Sequence, residues 1–276
     1  MLVSTDRITE SITPKYKKGL VIFIDILGSQ SQTDFDVLFE INNAFHTSLI
    51  DNEKNNKAHV VYQRTIHTFS DCAYIIYDFK DGVPSEKQNL GQLFEVAFCN
   101  CEPILLHFLS KKFIFRGGVA YGDLYYEKDR SILFGPAVNE AYQMESKVAI
   151  YPRIAITPFV AETLIDNWNR IVLEMDNPKT DHDKQVYSLL GNVKRQQGCS
   201  VKKDFDGTYM MHYLNSIEKC IGVSLYTHMS NCEFLSLCTE LCQSQIEAHR
   251  EKHHIVQKYR WLLEYINSLQ FDSFCG

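Results

Sequence analysis

Two aspartates, Asp25 in "VIFIDILGS" and Asp71 in "TFSDCAYIIY", each adjoin a run of β-forming residues. A single aspartate at a strand end is ordinarily a turn residue that bonds its own backbone. Two of them at the ends of neighbouring central strands are another matter, because paired carboxylates removed from water repel one another unless something positive lies between them. Divalent cations held by hard oxygens answer that need. The loop "DILGS" adds a second element. Gly28 permits close approach of the backbone, and successive amides between a strand and a helix can cradle phosphate oxygens. Metal, phosphate and turn chemistry then coincide.

The elements that must position these residues can be read from periodicity. Residues 1–16 form a polar leader, and "GLVIFID" is a buried strand by its continuous apolar run. Leu38, Ile41, Phe45 and Leu49 recur at helical spacing, with Asp34 as N-cap. "HVVYQRTIH" and "AYIIY" make two strands of a hairpin whose tip is Phe69-Ser70-Asp71. A second helix spans Leu90 to Leu109, with Leu93, Phe94, Ala97, Phe98, Cys101, Leu105 and Phe108 inward and Pro103 as a bend. "KKFIFRGGVAYGDLYYEKDRSILFG" reads as two strands, followed by a short helix from Pro136 to Ser146, a strand over Arg153 to Thr157 and a helix over Pro158 to Asn167. "IVLEM" and "VYSLL" read as late strands. This order predicts an α+β protein of the ferredoxin-like split β-α-β type over residues 17–190, with a mainly helical extension over 191–276.

Composition excludes some alternatives. The chain has 276 residues, is 45% hydrophobic and carries a formal charge of −6, with a pI near 5.9. That balance opposes general nucleic-acid binding, which needs a basic excess to neutralise phosphates. The apolar run Leu20 to Leu27 is short and broken by Asp25, so neither a signal peptide nor a membrane span is expected. Nine cysteines without a CxxC pair suit reduced, cytoplasmic thiols. Cys238 and Cys242 lack a four-ligand zinc spacing and are expected in the core, and His253 and His254 on the surface.

In order and spacing, "VIFIDILGS", "TFSDCAYIIY" and "FRGGVAYGDLYYEKDRSILFGPAVNEAYQMES" resemble the class III nucleotidyl cyclase domain. The third block and "KKDFDGTYMMHYL" are most similar to the pyrimidine nucleotide cyclases of bacterial Pycsar anti-phage systems. The resemblance covers about Lys17 to Leu214. It implies a metal-dependent cyclisation of a nucleoside triphosphate, with pyrophosphate as leaving group and two divalent cations, Mn²⁺ or Mg²⁺. The metal set would be Asp25, Ile26 and Asp71, and the catalytic set Asp25, Asp71 and Asn139. The amides of Ile26 to Ser29, Gly28 and Ser29 among them, would contact the β- and γ-phosphates, and Arg116 would bind phosphate. Gln143 stands where many family members carry an arginine, and Lys147, one turn on, is a substitute cation.

The resemblance further implies a homodimer with shared sites and a separate effector protein that receives the cyclic product. His67 and Ile132 take the base-reading positions, and Tyr62 and Arg64, alternating along the strand toward His67, are candidates for the pyrimidine edge. Isoleucine has no partner for a purine edge, so the expected substrate is UTP, giving cUMP. The alternatives are CTP, or a degenerate domain that binds a nucleotide without turning it over.

Overall fold

The expected core strand, β1 (Lys17–Ile26), lies between two antiparallel neighbours, β3 (Cys72–Phe79) and β4 (Phe115–Glu127). The computed structural model describes residues 14–29, 33–53, 60–181, 184, 185, 198–219, 223 and 227–270. The leader (residues 1–13), "VYSLL" and Cys220 and Cys275 fall outside that set. β2 (Tyr62–Phe69) pairs antiparallel with β3, and β6 (Ile154–Ile156) parallel with β4. A late hairpin, β7 (Val201–Lys203) with β8 (Tyr209–Met211), joins β6 on the far side, giving the order β2-β3-β1-β4-β6-β8-β7. β5 (Ile132–Phe134) pairs with β4 off this path. The fold is α+β, and its first four long strands stand in the order of a split β-α-β unit.

Alternation divides the sheet sharply. Leu20, Ile22, Ile24 and Ile26 of β1 face one way and pack with α1 (Phe35–Glu53), α2 (Leu90–Ser110) and α4 (Pro158–Asp176) in one large core. Asp34 caps α1 as expected, accepting from the amides of Asp36 (2.9 Å) and Val37 (3.2 Å). All the residues expected on the inner face of α2 are buried. By length and hydropathy alone α2 could cross a membrane, against the expectation that no segment could; here much of it is packed under the sheet. The same core takes in Phe234, Cys238 and Cys242 of α6 (Asn231–Ala248) and Trp261, Leu262 and Tyr265 of α7 (His253–Asn267). A single-turn α5 (Asn215–Glu218) precedes them.

Val21 and Phe23 face the other way and are covered with Ala120 and Leu124 by α3 (Pro136–Gln143). The glycine block on β4 makes this possible. A Cβ at Gly118 would lie 2.0 Å from the Ala141 carbonyl oxygen, so only glycine lets α3 approach this closely.

"IVLEM" is helix rather than strand. Val160, Leu164, Ile171 and Met175 are buried at helical spacing and Arg170 pairs with Glu174 one turn on (2.9 Å), so α4 continues to Asp176. A short apolar run cannot separate strand from buried helix by itself.

Candidate active site

The site is built where β1 and the β2–β3 turn end together. In the pairing register Asp25 faces Cys72 on one side and Arg116 on the other, and the Ile26 amide donates to the Asp71 carbonyl at 3.2 Å. Asp71 therefore occupies the hairpin tip, as expected. After Ile26 the chain turns through Gly28, whose φ of +85° suits a residue without Cβ. That turn buries Ser29, whose hydroxyl lies 2.8 Å from the Ile26 carbonyl and also against the Asp71 carboxylate; its single proton serves one of them at a time.

The charges around Asp25 are unevenly matched. Arg116 Nε lies 3.3 Å from Asp25 Oδ2 and 2.5 Å from Glu145 Oε1, so one guanidinium is divided between two carboxylates. Burial pushes the Asp25 carboxyl above the usual carboxylate range; Arg116 opposes the shift and the charge of Asp71 adds to it. Glu145, nearly inaccessible, is raised by burial as well, with Arg116 opposing and Asp25 adding. Between these strands Cys72 is raised to about 11 by burial and by the same three carboxylates.

A divalent cation fits this donor set. The Asp25 and Asp71 carboxylates and the Ile26 carbonyl are hard oxygens gathered by one turn, and the like charge of Asp71 that disfavours ionised Asp25 is what a cation would offset. Among the described residues no cluster of three or more His, Cys, Asp or Glu side chains forms a metal cage. Two carboxylates completed by water and substrate phosphates are a usual Mg²⁺ arrangement.

The other expected residues divide into those brought to this face and those that are not. His67 shares the α3 face of the sheet with Asp25, since it pairs with Tyr74 and Phe23 is likewise stacked on Tyr74 (4.5 Å between centroids). Its Nε2 is buried without a hydrogen-bond partner, and its ring lies edge-on to Tyr126 at 6.1 Å. Tyr62 and Arg64 do not join it. They are one residue out of phase with His67 and face the helices, with Arg64 Nη1 donating to the Tyr77 hydroxyl at 3.4 Å and Tyr62 packed on the main core. The expectation that they read a base beside His67 is thus corrected by the period of two in a strand; Gln63 and Thr65 are the residues of β2 that share its face. Ile132 is half-buried opposite Glu127, while Leu133 lies opposite Tyr126.

Asn139 and Gln143 are both exposed on α3, on the expected common face, and Lys147 is exposed too. The series breaks after Gln143, where a π-helical turn over Met144–Val148 is closed by the Ala149 amide on the Met144 carbonyl at 2.8 Å. Glu145 lies one turn beyond buried Ala141, on the face of the helix that packs on β4, and meets Arg116 there. Sequence reading followed the exposed face through Asn139, Gln143 and Lys147 and passed over Glu145 on the buried one. It also missed Lys258 of α7, which interacts electrostatically with Asp25 and Arg116. No sequence signal joins position 258 to position 25.

Solved structures similar to this chain are nucleotidyl cyclase domains. The monomeric guanylyl cyclase domain of the RhoGC fusion protein from the aquatic fungus Blastocladiella emersonii is 18% identical over 55% of this chain and 87% of that chain, with a TM-score of 0.40. The catalytic core of a rhodopsin-guanylyl cyclase with converted specificity, in complex with ATPαS, is 18% identical over 54% and 82%, with a TM-score of 0.39. A bacterial light-regulated adenylyl cyclase is 16% identical over 55% and 46%, with a TM-score of 0.38. Likenesses of this size assign neither an activity nor a substrate. No family model matches the chain, and no curated protein matches it.

Proposed function

We propose that this protein cyclises a pyrimidine nucleoside triphosphate, UTP to cUMP and pyrophosphate, and that the product is a second messenger read by a separate effector in anti-phage defence. The observation that carries the reading is that buried Ser29 joins the Ile26 carbonyl and the Asp71 carboxylate at the strand end where Asp71 and Asp25 feel each other's charge. In this reaction the ribose 3′ oxygen bonds to the α-phosphorus, the bond from that phosphorus to the β-bridging oxygen breaks, and the hydroxyl proton leaves to solvent. Two bound divalent cations, Mn²⁺ or Mg²⁺, would acidify the hydroxyl and neutralise the triphosphate. Asp25 and Asp71 hold that charge in place, and Ser29 fixes the Asp71 carboxylate. Arg116 turns from Glu145 toward phosphate, while the amides following Ile26 receive the β- and γ-oxygens.

Residues 17–190 form the cyclase unit in this reading, and 191–276 are built onto it. Asn139 and Gln143, exposed on α3, serve the site of a second protomer in a head-to-tail homodimer, together with His67 and Ile132. The unsatisfied, partly buried His67 Nε2 supports a polar base edge there, and Ile132 offers nothing to a purine edge. Exposed Gln143, which brings no charge, favours the second reading of a domain that binds a nucleotide without turning it over. Incubation with all four triphosphates and Mn²⁺, followed by mass spectrometry, separates the readings. cUMP with pyrophosphate is expected; predominant cAMP or cGMP would overturn pyrimidine selectivity, and no cyclic product would leave the binding module. Mixing Asp71→Ala with Asn139→Ala subunits should restore turnover if sites are shared.

A further inference from the structure

The site has a shortage of positive charge that α3 does not relieve. Gln143 is neutral, Lys147 is exposed on the wider turn beyond it, and Arg116 is divided between Asp25 and Glu145. A triphosphate would add several negative charges to a place already holding three carboxylates. The further cation near Asp25 comes from the other end of the chain.

Helix α7 is anchored beside the start of β4 by buried contacts. Tyr265 packs on Tyr213 (5.0 Å between centroids), and Tyr213 packs on Phe115 (5.1 Å), the residue before Arg116. Tyr265 also bonds His212 Nδ1 at 2.7 Å and receives the Leu214 amide at 3.3 Å. One turn earlier, Trp261 stacks on Tyr151 with an interplanar angle of 5° and donates from Nε1 to Asp204 at 2.9 Å. Asp204 and Asp206 hold Arg153, which is 1% exposed and whose carbonyl accepts from the amide of Gly117, the residue after Arg116. Two successive turns in the C-terminal half of α7 are therefore tied to residues that contact the backbone flanking Arg116.

Lys258 lies one turn before Trp261 and Leu262, on the side of the helix that these two residues fix. It is half-buried and close enough to Asp25 and Arg116 for their charges to act on it. Among the described residues it closes no ion pair with either Asp25 or Glu145. A flexible stem with a compact ammonium suits an adaptable point contact to phosphate.

We propose that Lys258 is a phosphate-contacting residue of the nucleotide site, so that the C-terminal helix α7 completes the positive charge that Gln143 leaves missing. The inference rests on the nucleotide reading above but not on turnover. Its test is calorimetric binding of tripolyphosphate, and separately of UTP, in the presence of Mn²⁺, to the full chain and to Lys258→Gln and Lys258→Arg. Loss of one charge-assisted phosphate contact should weaken tripolyphosphate binding by roughly 10- to 100-fold in Lys258→Gln, with substantial recovery in Lys258→Arg. The exposed Lys252→Gln, immediately before the same helix, controls for net charge and should bind as wild type, and unchanged melting temperatures confirm folding. Equal binding by Lys258→Gln and wild type, absence of tripolyphosphate binding by wild type, or equal weakening by Lys252→Gln would each overturn the proposal. A wild type that cyclises UTP beside an unaffected Lys258→Gln sinks this inference and keeps the cyclase. A wild type that binds tripolyphosphate through Lys258 yet yields no cyclic product does the reverse.

Discussion

Two groups of acids on the α3 side of the sheet have opposite electrostatic fates. At one end Asp78, 1% exposed, is held by Lys17 at 2.5 Å, by the Tyr126 hydroxyl at 3.1 Å and by Gln63 at 3.2 Å, with the Lys17 ammonium 3.7 Å from the centre of the Tyr126 ring. Every partner in that group belongs to a long strand of the same sheet, so the carboxylate is fully matched by the fold. At the other end Asp25 and Glu145 draw on one divided guanidinium, the Asp71 carboxylate adds like charge beside Asp25, and burial raises both Asp25 and Glu145. The first arrangement contributes to a stable sheet, and the second is completed only when something positive arrives. Stability and binding capacity are thus segregated along one face.

Breaking each group should give opposite phenotypes. Asp25→Ala or Asp71→Ala is expected to lower cyclase turnover by about 1,000-fold or more, since each removes an oxygen donor for the cations. The melting temperature without metal should hold or rise, because the variant removes like charge. A melting temperature that falls in Asp25→Ala as far as in an Asp78 variant would erase the contrast. Asp78→Ala should cost about 3 kcal/mol in urea unfolding, leaving Lys17 without its partner in a partly buried place.

A third buried group sharpens the contrast through pH. His212, between the Tyr265 hydroxyl and Glu218, is held near 4 by burial and by Lys202, below its ordinary 6.5, although Glu218 opposes the shift. The folded state thus takes up this proton less readily than the unfolded chain. Stability is full above pH 6.5 and declines as pH falls from 6.5 toward 4, by on the order of 3 kcal/mol. His212→Gln should flatten that part of the pH dependence of urea unfolding. Last, Ser29→Ala should reduce turnover by about tenfold with little change in unfolding, because it frees the Asp71 carboxylate without removing it; an unaffected turnover would show that the buried hydroxyl only closes the loop.

Strand and helix periods in the sequence were sufficient for β1, the β2–β3 hairpin with Asp71 at its tip, the inner face of α2 and the split β-α-β order. They also put Asn139 and Gln143 on one helix face, because four residues of α-helix return to nearly the same side. Local pattern was not enough where a neighbour chose between local alternatives. Tyr62 and Arg64 alternate correctly, yet which face of β2 meets the helices is decided by α1 and α2 packing on β3. "IVLEM" is helical because α4 has a core to lie on at both Leu164 and Met175. Glu145 continues the buried face of Ala141, but that a carboxylate can be held there depends on Arg116, which arrives from β4. Lys258 is the extreme case: it shares no pattern with Asp25 or Arg116, and the stacking of Trp261 on Tyr151 and of Tyr265 on Tyr213, which packs on Phe115 at the start of β4, brings its charge to theirs. Residue types and short periods are properties of the sequence, whereas the matching of charges far apart in the chain is a property of the packed core.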